Sequence, residues 1–216
     1  MSTHARETGE RRTTLRDRQK QQTRRELLDS AAQQFVQRGY GAVTVDDIAS
    51  GASCSRATFY LHFAGKAEVL QKIGAETMNE RAVVLYENLD TVLDTGTRAE
   101  FTDWVRHALE WFEQNRAILP AWDEAVAVEA DFQPIARRAI DELPAAMPRY
   151  LRRWGDARHS EACLRIELLV SQLERFFTRW AVQGTIAYST EQAVEVLSDI
   201  WWPALRPTVP SEELCP

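Results

Sequence analysis

The stretch Thr44–Lys66, TVDDIASGASCSRATFYLHFAGK, contains two short helical patterns separated by a turn of small residues. Thr44, followed three residues later by Asp47, predicts a capped helix start, because hydroxyl and carboxylate can both accept orphan amide protons. Gly51–Cys54 is compact enough to reverse the chain, and Ser55 can cap a second helix. The stretch therefore predicts a helix-turn-helix.

The second predicted helix has an apolar side and a polar side. Phe59 and Phe63 mark the buried side, since a helix this short must pack on its neighbours to be stable. The other side carries groups that hydrogen-bond: Arg56, Thr58, Tyr60 and His62. Arg56 can donate two parallel hydrogen bonds to guanine, and Thr58 can meet a phosphate or a thymine methyl group. Tyr60 and His62 suit phosphate oxygens, so the polar side predicts contact with DNA.

Three residues at predicted helix starts are further candidates for phosphate contact: Thr44, Ser55 and Lys66. Backbone amides at a helix start favour anions, and Lys66 opens the next helix. Structural alternatives remain open for these positions. Thr44 and Ser55 can serve only as caps, and Lys66 can simply be solvated. Alternatives also remain open on the second predicted helix, which we call the reading helix. There Arg56 can be solvated, Tyr60 can fill core and His62 can pack against Phe63.

The run Glu26–Leu70 resembles the DNA-binding module of the tetracycline-repressor (TetR) family. Four pieces carry the resemblance in the family's order and spacing: LLDSAAQQFVQRGY, VTVDDIA, SRATFYLHF and GKAEVL. One position departs from the pattern, because Ser53 stands where the family usually has the turn glycine, and Gly51 lies two residues earlier. If the turn requires a positive φ at Ser53, its backbone is mildly strained.

Charge is divided unevenly along the 216 residues. Residues 1–72 hold 12 Lys+Arg and 8 Asp+Glu, a net +4, whereas residues 73–216 hold 14 and 24, a net −10. This asymmetry predicts a basic module for nucleic acid joined to an acidic body. Chance variation over a solvated surface is the alternative. Nine Gly and eight Pro are few, and abundant Ala, Leu, Glu and Arg favour helix.

The sequence lacks the signals that are typical of several other protein classes. No run of about 18 apolar residues predicts a membrane span, and the charged N-terminus lacks the apolar core of a signal peptide. Three scattered cysteines predict neither disulfides nor a metal site, so the expected location is the cytoplasm. Four histidines without ligand spacing, and no glycine-rich phosphate loop, predict no enzyme and no cofactor. Cys54, at a turn near a helix start, leaves a redox sensor as a minor possibility.

The predicted fold is all-α, with four parts: a flexible basic arm (1–16), a three-helix helix-turn-helix domain (17–65), a helical effector-binding and dimerisation domain (66–206) and a loose tail (207–216). One continuous helix from Lys66 to about Leu93 joins the two domains as a rigid rod. Later helices are predicted at Thr97–Leu119, Trp122–Ala130, Pro134–Trp154 with breaks at Pro144 and Pro148, and Glu161–Gln183. Ser189 or Thr190 opens a last helix to about Leu205, with Ile200 inward. The acid pairs Asp123-Glu124 and Asp141-Glu142 look like solvated faces.

The body contains all seven tryptophans. The TetR resemblance implies a cavity here for a small effector, and the candidate wall residues are Trp104, Trp111, Phe112, Trp122, Tyr150, Trp154, Phe177 and Trp180. Polar groups that could orient a ligand are His107, Asn115, Gln172, Glu174 and Arg175. Plain core packing is the alternative for each aromatic residue. The resemblance also implies a homodimer through the last two long helices, which could instead bury both faces within one subunit.

These observations predict a dimeric, ligand-responsive transcriptional regulator. We expect a repressor that a small apolar or aromatic effector releases from a palindromic operator in double-stranded DNA. The competing interpretation is a helical binding protein, or an enzyme acting on an apolar small molecule, whose DNA contact is incidental.

Overall fold

The computed structural model describes residues 14–207, with the side chains at positions 79 and 80 excepted, and this part of the chain is all-α, as predicted. The predicted arm and tail lie outside these residues, apart from positions 14–16 and 207. The helices in the described range are α1 Leu15–Arg38, α2 Val45–Gly51, α3 Arg56–Tyr60, α4 Lys66–Gly74, α5 Glu80–Thr95, α6 Arg98–Asn115, α7 Leu119–Val128, α8 Gln133–Ala145, α9 Pro148–Trp154, α10 His159–Phe177 and α11 Thr190–Ala204. Short 3₁₀ segments lie at Ala130–Phe132 and Asp156–Arg158, and π turns at Ala75–Asn79 and Thr178–Val182.

Helix α1 begins at Leu15, two residues before position 17, where the predicted helix-turn-helix domain starts. Thr14 caps it, because its side chain accepts from the Asp17 backbone nitrogen while the Asp17 carboxylate accepts from Thr14. Position 16 of the predicted arm is therefore helical. The buried stripe Leu27, Ala31 and Phe35 packs α1 against α2, α3 and α4, which together form the N-terminal head.

The turn between α2 and α3 uses Ser53 where the resemblance leads one to expect glycine. Ser53 has φ +53°, in the left-handed region, so the anticipated strain is present. Gly51 is the last residue of α2 and serves a different purpose. A Cβ atom at Gly51 would lie 2.3 Å from the Ser30 hydroxyl, so glycine permits the close approach of α1 and α2.

The helix predicted from Lys66 to Leu93 runs on to Thr95, but it is not a uniform rod. A π turn at Ala75–Asn79 separates α4 from α5. Immediately before it, Gly74 lies against α7, and a Cβ atom there would be 2.3 Å from Cζ3 of Trp122. The connection between the head and the body is thus locally irregular where α7 packs on it.

The described residues form two hydrophobic cores, and α7 belongs in part to both. The first core lies in the head and includes Ile118, Ala121 and Ala125 from the start and middle of α7. The second core is built from α5, α6 and α8 to α11. Trp111 and Leu119 pack against both cores. Apolar contacts therefore cross the predicted boundary between residues 65 and 66.

The body agrees with the sequence prediction in some details and differs in others. Pro120 lies in the first turn of α7, where a missing amide proton costs nothing. The predicted split near Pro144 and Pro148 is present, as the break between α8 and α9. Ile200 was predicted to face inward but is 47% exposed, because it lies on the outer side of α11. Within the described range, no helix is both long and apolar enough to cross a membrane.

Candidate nucleic-acid interface and ligand cavity

The apolar side of α3 is clamped to the head. Phe59 of α3 and Phe63, three residues after the end of α3, are buried, and their ring centroids are 5.8 Å apart. Arg24 of α1 lies 4.2 Å from the Phe63 ring centroid and donates a hydrogen bond to the His62 carbonyl oxygen at 2.8 Å. Sequence reasoning missed Arg24, since no local pattern pairs residues 38 positions apart. These contacts fix which side of α3 faces outward.

Arg56 and Tyr60 occupy the outward side of α3. Arg56 Nη1 lies 2.7 Å from Asp46 Oδ2, and Arg56 Nη2 donates to the Tyr60 hydroxyl at 3.3 Å. Both partners of the ion pair are well exposed, at 59% and 60% of their side-chain surface. An ion pair this exposed contributes little stability, so Arg56 can exchange Asp46 for another partner at small cost.

Thr44 and Ser55 act as helix caps. Thr44 Oγ1 donates to Asp47 Oδ2 at 2.6 Å, and the Asp47 amide donates back to Thr44 Oγ1 at 3.1 Å. The Thr44 amide also donates to Asp47 Oδ2, at 2.8 Å, and the hydrogen bonds from the Thr44 hydroxyl and amide, together with Arg38, lower the pKa of Asp47 to about 2. Ser55 Oγ accepts from the Thr58 amide at 3.1 Å and lies 2.9 Å from the Thr58 hydroxyl. The capping alternative therefore accounts for Thr44 and Ser55 without a ligand.

His62 lies partly buried beside α1. Within the described residues its Nδ1 atom is buried without a hydrogen-bond partner. Burial lowers the pKa of His62, and the nearby cations Lys20 and Arg24 lower it further. The ring is therefore neutral near pH 7. A neutral ring binds phosphate more weakly than a charged imidazolium does.

Lys66 has partners within the protein that the sequence did not predict. Its ammonium nitrogen donates to the carbonyl oxygens of Tyr40 at 3.0 Å and Val43 at 3.2 Å. The same nitrogen lies 4.2 Å from the Tyr40 ring centroid. Two of its three protons are thus engaged at the joint between α1, α2 and α4, and its contact with DNA phosphate stays a prediction.

A cavity of about 430 Å³ lies in the body, between the π turn, α5, α6, α7, α8 and α10. Three of the eight predicted wall residues line it: Trp111, Phe112 and Trp122. Met78 of the π turn also lines it, so the irregular part of the connecting helix forms part of the wall. The volume falls in the range of small-molecule sites.

The other five predicted wall residues lie elsewhere. Trp104 and Tyr150 are core residues of the body, where Trp104 Nε1 donates to the Leu85 carbonyl at 2.8 Å and the Tyr150 hydroxyl donates to the Ala162 carbonyl at 3.2 Å. Their polar atoms are satisfied by backbone oxygens, so both belong to the plain-core alternative.

Trp154, Phe177 and Trp180 are also outside the cavity wall. Trp154 lies between two guanidinium groups, 4.3 and 4.7 Å from its ring centroid. Phe177 stacks behind Phe112, with 5.5 Å between centroids. Trp180 follows α10 in a π turn and donates to the Tyr188 carbonyl at 2.8 Å.

Carboxyl groups line the cavity among the aromatic rings. Asp123 from α7, Glu142 from α8 and Glu174 from α10 all line it, and Asp123 and Glu142 are also exposed to solvent, as expected from the sequence. Asp123 keeps accessible surface because the cavity is open. It hydrogen-bonds with Glu174, and burial, the Asp123 charge and this bond raise the pKa of Glu174 to about 7. Burial also raises the pKa of Asp123.

Helix α7 links the cavity to the head. Trp122, Asp123 and Val126 line the cavity, whereas Glu124 faces the loop after α1. The backbone nitrogen of Tyr40 donates to Glu124 Oε2 at 2.7 Å. One helix thus contacts both a potential ligand and the segment that leads into the helix-turn-helix.

Residues 27–73 match the family described as "Bacterial regulatory proteins, tetR family". The matched segment contains α2, the turn at Ser53 and the reading helix α3. The head is therefore similar to the DNA-binding domain of TetR-family regulators.

Curated relatives resemble this chain mainly in the head. The HTH-type transcriptional regulator SrpR of Pseudomonas putida is 42% identical over 53 residues, which cover 24% of this chain and 25% of SrpR. The matched stretch therefore spans about a quarter of that relative's length.

Solved structures match this chain over most of its length. A TetR-family regulator from Syntrophomonas wolfei superposes with a TM-score of 0.64 at 15% identity, covering 88% of this chain and 98% of the other. SmeT of Stenotrophomonas maltophilia, in its complex with triclosan, gives a TM-score of 0.57 at 18% identity, covering 84% and 90%. At these identities the similarity supports a shared fold.

Proposed function

We propose that this chain is a dimeric transcriptional repressor of the TetR family that leaves its operator when a small molecule binds in the body. The observation that carries the proposal is the double role of α7. Its Trp122 and Asp123 face the cavity, and its Glu124 holds the backbone of Tyr40 in the head. A ligand that displaces α7 therefore acts directly on the head.

The reading of DNA rests on the outward side of α3. Arg56 is the candidate for base readout, because its guanidinium is exposed and its ion pair with Asp46 is weak. Tyr60, at 48% exposure, and Thr58 are candidates for backbone contact. His62 and Lys66 have lesser roles in this proposal, since both are held by contacts inside the head.

Dimerisation is supported by exposed apolar side chains on the last two helices. Leu164 and Leu168 are one turn apart on α10 and are 52% and 53% exposed. Val196 and Ile200 have the same spacing on α11 and are 56% and 47% exposed. Two such helices from each subunit can form a four-helix bundle, and the resulting two-fold symmetry suits a palindromic operator.

The proposed mechanism is a shift between two conformations. In the DNA-binding form, the two reading helices of the dimer fit successive major grooves. Effector binding favours a position of α7 and of the π turn that changes their spacing. A coupling of about 2 kcal/mol per effector lowers operator affinity roughly 30-fold.

A mobility-shift titration tests the DNA-binding part of the proposal. Labelled DNA from upstream of the protein's own gene is compared with scrambled DNA of equal length and composition, at several salt concentrations. We expect the upstream fragment to bind at least 100-fold more tightly, with affinity falling steeply as salt rises.

Leu168→Glu tests the dimer in the same assay, with Val128→Glu as the control, because Val128 is also exposed but lies on α7. The expected result is a monomer by light scattering and loss of operator binding for Leu168→Glu alone. Equal affinity for upstream and scrambled DNA would instead favour a binding protein or enzyme with incidental DNA contact.

A further inference from the structure

The cavity has the size and lining of a site for an organic molecule. Its volume of about 430 Å³ lies within the range of about 300–1,000 Å³ that is usual for drug-sized ligands. Aromatic residues from three helices line it, with Tyr86 on α5, Trp111 on α6 and Trp122 on α7. Most of the remaining wall is aliphatic, so the body of a ligand must be apolar.

Negative charge predominates among the ionisable groups of the wall. Three carboxyl groups line it, Asp123, Glu142 and Glu174, against a single guanidinium, Arg137. Arg137 is already engaged, because it lies 2.9 Å from Asp141 and 3.6 Å from Glu167. The wall therefore carries carboxylate charge that its one arginine does little to neutralise.

We propose that the effector is an organic cation, with an aromatic or aliphatic body and a positively charged nitrogen. This inference rests on the proposed function, in which the cavity holds the effector. Asp123 and Glu174 are the expected counter-ions, because they face the cavity as a hydrogen-bonded pair from α7 and α10.

The chemistry of the wall discriminates among ligand charges. A cation is attracted both by the carboxylates and by the faces of the aromatic rings, and each attraction strengthens when the ligand is removed from water. An anion of the same shape meets repulsion from three carboxyl groups. A neutral ligand gains the apolar contacts alone and leaves the acid pair without a partner.

Protonation of the acid pair gives the site a pH dependence of known direction. Because Glu174 has a pKa of about 7, the pair gains negative charge as the pH rises through neutrality. The charge of Arg175 on α10 lowers the pKa of Glu174 and so opposes its protonation. Arg137 and Glu142, both on α8, are the other charged groups that line the cavity. A permanently charged cation should bind about tenfold more tightly at pH 8 than at pH 6.

Equilibrium dialysis with three probes of matched shape tests the inference. The cation is trimethyl(2-naphthylmethyl)ammonium, and the neutral probe is 2-(2,2-dimethylpropyl)naphthalene, in which carbon replaces the charged nitrogen. The anion is 2-naphthylacetate. We expect the cation to bind at least tenfold more tightly than the neutral probe at pH 8, and the anion not to bind.

Variants locate the charge responsible. Asp123→Asn and Glu174→Gln should each weaken cation binding about tenfold at pH 8 while leaving the neutral probe unchanged. Asp131→Asn is the matched control, because Asp131 is exposed and lies outside the cavity wall. It should bind the cation as the unmodified protein does.

Failure of this inference can be told apart from failure of the proposed function. If the neutral probe binds as tightly as the cation, or if none of the probes binds, the cation inference is overturned. Operator binding, measured on the same sample by mobility shift, then decides the proposed function independently. Preserved operator binding keeps the repressor and removes only the cationic effector.

Discussion

The Glu124 carboxylate accepts a hydrogen bond from the Tyr40 backbone nitrogen at 2.7 Å, and this bond ties α7 to the loop that follows α1. Tyr40 is also held at its other polar atoms. Its hydroxyl donates to Glu129 at 3.1 Å, and its carbonyl oxygen accepts from Lys66 at 3.0 Å. The ring packs on Phe35, with 5.3 Å between centroids. Tyr40 is therefore held by contacts with α7, α4 and α1 together, and its position depends on all three helices.

Glu124→Ala should weaken communication between the cavity and the head. The variant leaves the Tyr40 amide without its partner and removes the charged link to α7, at a cost of about 1–3 kcal/mol in the free energy of unfolding. Effector affinity should change little, because Glu124 does not line the cavity. Operator affinity measured with and without saturating effector should show a coupling well below the original.

Glu124→Gln is the matched control for this prediction. The glutamine carbonyl can still accept from the Tyr40 amide, so most of the coupling should remain. A full effector response in Glu124→Ala would show that α7 is not the route and would leave the α4–α5 connection to carry the signal.

Substitutions at Ser53 and Gly51, two residues apart in the chain, should change the stability of the protein in opposite directions. Ser53→Gly removes a side chain from a residue at φ +53° and should stabilise the protein by about 0.5–1 kcal/mol. Gly51→Ala brings a Cβ atom to 2.3 Å from the Ser30 hydroxyl and should destabilise it by about 1–3 kcal/mol. Urea unfolding of both variants measures the two changes. Stabilisation by Gly51→Ala would mean that α1 and α2 can separate easily.

Local sequence patterns were sufficient for the capped helix starts and for the turn of the head. Thr44, Ser55 and Ser189 begin helices where a capping side chain predicts them, because capping depends only on residues three positions away. The turn at Ser53 was found by comparing a short motif with a family pattern. In each case the physical cause lies within a few residues of the position predicted.

The cavity could not be predicted in the same way. Trp104 and Trp111 lie on the same apolar helix, yet only Trp111 reaches the cavity, because that choice depends on how α6 crosses its neighbours. Tyr40 and Glu124 are 84 positions apart, and no periodicity connects them. The π turn at Ala75–Asn79 likewise has no signal in helical spacing.

Arg56→Ala should reduce discrimination between operator and random DNA. A bidentate arginine–guanine contact is worth about 1–3 kcal/mol, so the specificity ratio should fall by roughly 10- to 100-fold while the dimer remains intact. Asp46→Asn is the companion variant, since it frees Arg56 from its 2.7 Å ion pair and should leave the specificity ratio the same or slightly higher. Unchanged sequence preference in Arg56→Ala would remove this residue from base readout.

Lys66→Ala should affect stability more than DNA binding. The variant removes two charged hydrogen bonds to the carbonyls of Tyr40 and Val43, and a loss of about 1–3 kcal/mol in unfolding free energy is expected. The slope of log affinity against log salt should stay as it is, as for the control Lys72→Ala. A slope smaller by about one unit would show that Lys66 also contacts a phosphate.

Glu174→Gln should make the protein more stable at pH 8 but not at pH 5. The pKa of Glu174 is raised from 4.5 to about 7 on folding, so between these values the folded state binds more protons than the unfolded state. Stability contributed by this group is therefore present below about pH 4.5 and is lost as the pH rises through 7. Glutamine remains neutral throughout, and because Glu174 borders an open cavity we expect a gain on the order of 1 kcal/mol at pH 8. Glu142→Gln, in the same wall but outside the acid pair, is the control, and urea unfolding at pH 5, 6, 7 and 8 gives the comparison. A gain that does not vary with pH would show that Glu174 is ionised in the folded protein across this range.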